Sequence, residues 1–195
     1  MHLAIARAAL AQLGLAKIHW VVSGIAPHKP TIASPEDRLA MVQCVLAQEN
    51  DSRMLVNDLE VKASREGRLS YTIDTLRALA TAYPGRRLVL IIGSDQAHHF
   101  ETWKDWRGIL GMVDVAVVNR AALWAPGFAE KCESLGTRVT ELEMEGDPIS
   151  ATAIRDSFLK SDLVPDGVIE SVAVYARKKR LYEPKTQSAD PGPRP

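Results

Sequence analysis

The stretch Leu88–Trp106, LVLIIGSDQAHHFETWKDW, decides the fold. It opens with five consecutive apolar residues, Leu88–Ile92, a run typical of a strand that is buried on both faces of a parallel sheet. Small and acidic residues follow at Gly93–Asp95, and ligands of open α/β sheets bind just beyond the carboxyl ends of such strands. Two tryptophans, Trp103 and Trp106, come shortly afterwards. The stretch therefore combines a core strand with three groups that could contact a ligand: the backbone at Gly93, the Asp95 carboxylate and the tryptophan rings.

Composition and length favour one globular domain. The chain has 195 residues, 46% of them hydrophobic, and we expect a single domain over residues 1–182 and a disordered polar tail over 183–195. The 24 basic and 24 acidic residues balance, which argues against a nucleic-acid or membrane-surface partner. No apolar run approaches the roughly 20 residues of a membrane span, and no signal peptide is recognisable. With Cys44 and Cys132 predicted as buried thiols, we expect a cytoplasmic protein.

Strand-like and helix-like patterns alternate along the chain. This alternation predicts right-handed βαβ units and a Rossmann-like, doubly wound parallel sheet with helices on both faces. The first predicted element is nevertheless a helix, His2–Leu15, whereas doubly wound folds usually open with a strand. A further helix is predicted at Thr102–Leu110. The predicted strands are Ile18–Val22, Arg53–Val61, Leu88–Ile92, Val113–Val118 and Val139–Met144.

Motif absences exclude several enzyme classes. The sequence contains neither the phosphate-binding loop of P-loop ATPases nor the Gly-x-Gly-x-x-Gly of dinucleotide-binding dehydrogenases. It also lacks the Gly-x-Ser-x-Gly of serine hydrolases. His98 and His99 are adjacent in sequence, so their side chains diverge on a helix, and no further ligand is spaced nearby. We therefore predict no resident metal site.

Two segments are candidates for phosphate binding. Ser150 can cap a helix whose first turns carry Thr152 and Arg155, and free N–H groups, hydroxyls and a guanidinium at a helix start suit a phosphate. A simple helix cap is the commoner interpretation of that pattern. His28 and Lys29 follow a predicted strand on the ligand side of the sheet, although such a pair in a loop is usually only solvated.

The order of these features is more informative than any one of them. Order and spacing together closely resemble the bacterial nicotinate-nucleotide adenylyltransferases, a family of the nucleotidyltransferases with an HxGH signature, over His2–Tyr182. The resemblance implies transfer of the AMP moiety of ATP to nicotinate mononucleotide, giving nicotinate adenine dinucleotide and pyrophosphate, with Mg²⁺ accompanying ATP. The features are Pro27-His28-Lys29, Arg38-x-x-Met41, Ser70-Tyr71-Thr72, Gly93-Ser94-Asp95, Trp103-x-x-Trp106 and Ile149-Ser150-Ala151-Thr152-x-Ile154-Arg155.

The same resemblance implies the site residues. Trp103 would stack on the pyridine ring, and N–H groups near Lys104 and Thr72 would meet the nicotinate carboxylate, which favours the acid over the amide. The implied catalytic residues are His2, Lys29 and Arg155. The implied ATP ligands are His2, Gly93, Asp95, Ile149, Ser150, Thr152 and Arg155. The implied ligands of the mononucleotide are His28, Lys29, Thr72, Trp103, Lys104 and Arg120.

The resemblance is incomplete at its start. The family opens with a strand and Gly-x-Phe-x-Pro-x-His-x-Gly-His, of which His2 fits only the second histidine. We therefore expect that this chain lacks the first strand, and that Leu88–Ile92, its neighbour in the family, has one open ladder edge. A mis-assigned start codon or a truncated chain would explain this, and an in-frame Gly-x-Phe-Asp-Pro-x-His upstream in the DNA would support that hypothesis.

Two other functions stay open. One is a related enzyme such as a pantetheine-phosphate adenylyltransferase, against which the Ser70-Tyr71-Thr72 loop and the paired tryptophans count. The other is an inactive nucleotide-binding remnant, which the incomplete HxGH motif keeps open. The sequence is also compatible with a homo-oligomer.

Overall fold

The computed structural model describes residues 1–25, 32–118, 127–144, 151–160 and 163–183, with only the backbone of Ala151. The chain divides into two compact units, Met1–Pro148 and Ile149–Pro195. The single domain expected over residues 1–182 stays a prediction. The expected tail lies almost wholly outside the described residues.

Helices and strands alternate in the first unit, as the sequence pattern predicts. Local chemistry sets the helix ends: α2 begins where the Ser34 hydroxyl accepts a hydrogen bond from the Asp37 N–H at 3.1 Å, an arrangement typical of a helix N-cap. The elements are α1 His2–Leu13, β1 Ile18–Val21, α2 Pro35–Glu49, β2 Met54–Asn57, α3 Leu59–Arg65, α4 Thr72–Ala82, β3 Leu88–Gly93, α5 Ser94–His98, a 3₁₀ turn Phe100–Thr102, α6 Trp106–Leu110, β4 Val113–Val118, α7 Phe128–Ser134 and β5 Val139–Leu142.

All strand pairings among the described residues are parallel. They form a two-stranded sheet, β1-β2, and a three-stranded sheet, β3-β4-β5. The register of β3 against β4 runs from Leu88↔Val113 to Gly93↔Val118. Within the described part of the chain, β3 pairs on the β4 side only, and β1 pairs on the β2 side only. The structure thus confirms the α/β class and the open ladder edge expected for Leu88–Ile92.

Both faces of β3 are covered, because successive side chains of a strand point to opposite faces. Leu90 and Ile92 pack in a cluster with Phe100, on the side of α4, α5 and α6. Val89 and Ile91 pack in a second cluster, on the side of α1. Side chains on both faces of β3 thus reach apolar clusters, but Leu88–Ile91 are only half-buried, so the predicted burial on both faces holds only in part.

Helix α1 connects the two sheets. Its buried residues share one apolar cluster with Ile18 of β1 and with Val118 and Leu142 of the other sheet. The Gln12 side-chain amide also exchanges two hydrogen bonds with the backbone of Glu143, at 2.8 and 3.0 Å. The first helix of the chain is thus part of the core that the two sheets share.

Two predicted elements are wrong in part. The strand predicted at Arg53–Val61 ends at Asn57, whose side-chain oxygen accepts the Leu59 N–H at 3.0 Å and starts α3 instead. An Asn side chain that bonds two residues ahead is a turn signal. The helix predicted at Thr102–Leu110 is interrupted, because Asp105 adopts a left-handed conformation with φ 52° and caps α6 from there.

The second unit contains two described helices, α8 (Ala151–Lys160) and α9 (Glu170–Lys178). The Phe158 ring lies 5.2 Å from the Tyr182 ring, and the Arg177 guanidinium lies 5.4 Å from the Phe158 ring centroid. None of the helices in the described ranges is both long and apolar enough to cross a membrane.

Both cysteines lie in helices, as predicted, and both are free thiols. Cys132 is fully buried, and burial raises the pKa of its thiol to about 11. Cys44 is only half-buried, so its predicted burial is wrong. Cys132 is therefore a core residue and a poor nucleophile.

We predict that Leu142→Ala lowers the free energy of unfolding by about 2–5 kcal/mol, since Leu142 is 1% exposed and its truncation leaves a cavity under α1. Leu135→Ala is the matched control, because Leu135 is 46% exposed. It should change stability by no more than about 0.5 kcal/mol. Urea unfolding measures both variants, and equal losses would contradict the assignment of Leu142 to the core.

Candidate functional site

The predicted ligand edge of the sheet is formed where β3 ends. Gly93 is buried and pairs in register with Val118, so two strands end side by side. Asp95 follows as the second residue of α5, is exposed, and accepts a hydrogen bond from the Gln96 amide at 2.9 Å. Asp95 is thus an exposed carboxylate beyond a buried strand end, and its role as a ribose ligand stays a prediction.

His2, a predicted ligand of the ATP phosphates, lies at the start of helix α1. It is the first residue of α1 and is exposed. The α1 helix has no side-chain N-cap, and its first backbone bond runs from the Ile5 N–H to the Met1 carbonyl at 3.1 Å. The His2 imidazole is thus on the surface at the positive end of a helix.

Three residues predicted to bind the mononucleotide lie in one neighbourhood. Thr72 opens α4, directly after Tyr71. The Lys104 ammonium lies 4.1 Å from the centroid of the Tyr71 ring and 3.3 Å from a carboxylate oxygen of Asp74, also in the first turn of α4. Trp103 precedes Lys104 and packs with Tyr71 against the same core cluster. The structure therefore brings Thr72, Trp103 and Lys104 together.

The Trp103 ring is partly anchored. It is half-buried, and its centroid lies 5.0 Å from that of the fully buried Phe100 ring. Its backbone is extended, with φ −74° and ψ 144°, between the 3₁₀ turn and α6. A ring held on one side and partly open can still stack on a planar ligand.

Paired charges surround Lys104. Asp74 contacts both Lys104 and Arg77, and Arg77 also contacts Asp105 at 2.9 Å. Two cations and two anions thus form one exposed, neutral network between α4 and the Trp103 segment. Because each side chain is about half exposed, the network orients these groups more than it stabilises the fold.

In the second unit, two predicted ATP ligands contact each other. The Arg155 guanidinium donates to the Thr152 hydroxyl at 3.0 Å within α8. Arg155 is half-buried and Thr152 is exposed. The pair supplies a cation and a hydroxyl on one turn of a helix, as the sequence predicts.

The remaining predicted residues lie outside the described residues, and their assignments stay predictions. They are His28, Lys29, Arg120, Ile149 and Ser150.

Sequence reasoning missed a polar cluster beside the end of β1. Arg38 of α2 donates to three backbone carbonyls, and Glu60 of α3 accepts from the buried Thr75 of α4 at 2.8 Å. Burial lowers the pKa of the Arg38 guanidinium, and Glu36 and Glu60 partly offset that effect. The available signal was Arg38 in the Arg38-x-x-Met41 motif, which indicated no partner for its side chain.

Comparison with known proteins identifies the class of fold. The family described as Cytidylyltransferase-like matches residues 1–157. Among solved structures, Plasmodium falciparum nicotinic acid mononucleotide adenylyltransferase complexed with NaAD superposes with a TM-score of 0.71, covering 91% of this chain and 88% of that chain, at 16% identity. At that identity the likeness shows the fold. The fold is thus that of the cytidylyltransferase-like α/β proteins.

Curated relatives narrow the family. A probable nicotinate-nucleotide adenylyltransferase from Albidiferax ferrireducens is 36% identical, covering 93% of this chain and 90% of the relative. Another, from Methylibium petroleiphilum, is 32% identical, covering 94% of this chain and 86% of the relative. The chain belongs to the nicotinate-nucleotide adenylyltransferase family.

We predict different effects for two substitutions of Asp105. Asp105→Ala removes the carboxylate that caps the Gly108 N–H. It also puts alanine, which adopts the left-handed conformation less readily than Asp, at a φ of 52°. Together these effects should lower the free energy of unfolding by about 2 kcal/mol. Asp105→Asn keeps a capping oxygen and a residue that tolerates positive φ, and should cost less than about 1 kcal/mol. Urea unfolding compares them. Equal costs for Asn and Ala would show that the ion pair with Arg77, which both substitutions remove, dominates over the cap.

Proposed function

We propose that this chain transfers the AMP moiety of ATP to nicotinate mononucleotide. A phosphate oxygen of the mononucleotide attacks the α-phosphorus of ATP, the bond from that phosphorus to the bridging oxygen breaks, and pyrophosphate leaves with nicotinate adenine dinucleotide as the product. Such phosphoryl transfers depend on positioning and charge stabilisation, and no covalent enzyme intermediate is required. The observation that carries the proposal is family membership, since relatives named for this activity align with this chain over about nine-tenths of its length.

On the mononucleotide side, the proposal uses the neighbourhood of Thr72, Trp103 and Lys104. Trp103 stacks on the pyridine ring with the face that Phe100 leaves open. N–H groups at the start of α4 and near Lys104 donate to the nicotinate carboxylate. An amide in place of the carboxylate would present hydrogen-bond donors to those donors, which favours the acid. His28, Lys29 and Arg120 complete this set by resemblance.

On the ATP side, Gly93 lets the backbone approach the nucleotide and Asp95 accepts from a ribose hydroxyl. His2, Lys29 and Arg155 donate to phosphate oxygens where charge develops, and Ile149, Ser150 and Thr152 contribute at the start of α8. ATP enters as its Mg²⁺ complex, because Mg²⁺ is usually held by substrate phosphates and water and only partly by protein. The Thr152–Arg155 hydrogen bond supports a shared anion-binding role for these two side chains.

We also propose a cytoplasmic location. The substrates of the proposed reaction are metabolites of the cell interior, and the two free thiols agree with a reducing compartment.

Incubation with ATP, nicotinate mononucleotide and Mg²⁺, followed by chromatographic detection of nicotinate adenine dinucleotide and pyrophosphate, tests the reaction. Equal turnover of phosphopantetheine would favour the related adenylyltransferase instead. Calorimetric binding of both nucleotides without turnover would favour the inactive remnant.

We predict that Trp103→Ala raises the KM for nicotinate mononucleotide about tenfold or more, with little change in the KM for ATP, because aromatic stacking on a base contributes about 1–3 kcal/mol. Trp106→Ala is the matched control, since Trp106 packs against the same cluster but its ring is covered by the Arg107 guanidinium at 4.2 Å. Equal effects of Trp103→Ala on both substrates would indicate a packing role.

We predict that Arg155→Ala lowers kcat/KM for ATP by about 10- to 100-fold, because a charge-assisted hydrogen bond contributes about 1.5–3 kcal/mol. The KM for nicotinate mononucleotide should change little. Lys160→Ala is the control, since Lys160 lies in the last turn of the same helix and is exposed. Steady-state kinetics with each substrate varied in turn decides between the two substrate sites.

A further inference from the structure

One guanidinium ties together two parts of the chain that are separate in sequence. The Arg38 Nη2 donates to the carbonyls of Ser23 and Gly24, at 2.5 and 2.8 Å, directly after β1. The Arg38 Nη1 donates to the Ala33 carbonyl at 2.6 Å, directly before α2. Arg38 therefore fixes both ends of the segment that begins at Gly24 and ends at Ala33.

Glu60 extends the same contact to α4. One carboxylate oxygen of Glu60 accepts the Gly24 N–H at 3.4 Å, and the other accepts the Thr75 hydroxyl at 2.8 Å. Thr75 is only 8% exposed and lies one turn after Thr72. We name Gly24, Arg38, Glu60 and Thr75 the Gly24 junction.

The junction is tightly packed. A Cβ atom at residue 24 would overlap the Glu60 carbonyl oxygen and lie 2.6 Å from the Ser70 hydroxyl. Only glycine therefore lets the end of β1 approach α3 so closely. The Ser70 N–H also donates to the Ile25 carbonyl at 2.9 Å, so the segment before α4 is held to the same strand end.

The chemistry of the junction favours arginine over lysine at position 38. A planar guanidinium presents several N–H groups in a fixed fork, so it can reach carbonyls on two sides at once. An ammonium on a flexible stem is a single donor centre. Burial also favours the weakly hydrated guanidinium, whose Nε is buried without a hydrogen-bond partner among the described residues.

We propose that Arg38 and Glu60 are positioning residues for the adenylyl transfer, and that the Gly24 junction fixes the end of β1 and the start of α2, which flank His28 and Lys29 in the sequence, relative to the start of α4. The inference rests on the proposed function, because His28 and Lys29 lie between Gly24 and Ala33 in the sequence and Thr72 opens α4. Neither Arg38 nor Glu60 needs to touch a substrate for this role. Their effect passes through backbone groups on either side of the phosphate-binding candidates.

The principal test is Arg38→Lys, which keeps the charge and removes the fork. We expect kcat to fall about 10- to 100-fold at a temperature where urea curves show the variant fully folded, since a misplacement of about 1 Å can cost 100-fold in rate. Arg65→Lys is the matched control, because Arg65 pairs with Glu36 at 3.1 Å on the surface. It should keep wild-type kinetics. Wild-type kcat and KM values in Arg38→Lys would overturn the proposal.

A second pair of variants separates positioning from packing at the other end of the junction. Thr75→Val keeps the volume and removes the hydroxyl that donates to Glu60, whereas Thr75→Ser keeps the hydroxyl. We expect Thr75→Val to lower kcat and Thr75→Ser to restore most of it. If the two variants lose activity equally, the role of Thr75 is packing and the proposal fails at this position.

Hydrogen exchange followed by mass spectrometry provides a readout that does not depend on turnover. Arg38→Lys should speed exchange in peptides covering Ser23–Ile25 and Leu69–Thr72 and leave β3 and β4 unchanged, whereas Arg65→Lys should match the wild type. Unchanged exchange in those peptides would overturn the junction. If Arg38→Lys shows this exchange pattern but the wild-type chain makes no dinucleotide, the result counts against the proposed function and not against the junction.

Discussion

The parallel pairing of β3 with β4 is the constraint on which the rest of the structure depends. Six residue pairs in register bring Gly93 level with Val118, so the carboxyl ends of two buried strands meet at one edge of the sheet. Side chains that follow β3 directly, such as Asp95, are then held at that edge by the core beneath them. Apolar clusters on both faces of β3 fix its position without any contribution from the residues that would contact a nucleotide.

The residues of the proposed site are positioned by hydrogen bonds and ion pairs from neighbouring residues that need not contact the substrates themselves. Asp74 and Arg77 hold Lys104 and Asp105 in a neutral network, and the Gly24 junction holds a strand end against α4. Both groups of contacts involve α4, at its first turn and just after it. That helix therefore relates the pyridine side of the proposed site to the segment that follows β1.

The parts of the fold that the sequence could predict are those set by apolar periodicity. Leu88–Ile92 is a continuous apolar run, Val113–Val118 is apolar except for Asp114, and both form parallel strands. The errors arose where one polar side chain redirects the backbone, as Asn57 does after β2 and Asp105 does before α6. Arg38 was visible in the sequence, but its three carbonyl partners depend on tertiary approach, which no spacing rule encodes.

The way in which helix α1 joins the two sheets makes the rigidity of the first unit depend on temperature. Within each sheet the strands are joined by directional hydrogen bonds, whereas under α1 the two sheets meet through an apolar cluster, in which Ile5 and Leu10 are buried with Ile18 and Val118. Apolar contact weakens on cooling, because its driving force near room temperature is mainly entropic. The joint between the sheets should therefore soften in the cold before either sheet does, so the chain is expected to be most rigid at moderate temperatures.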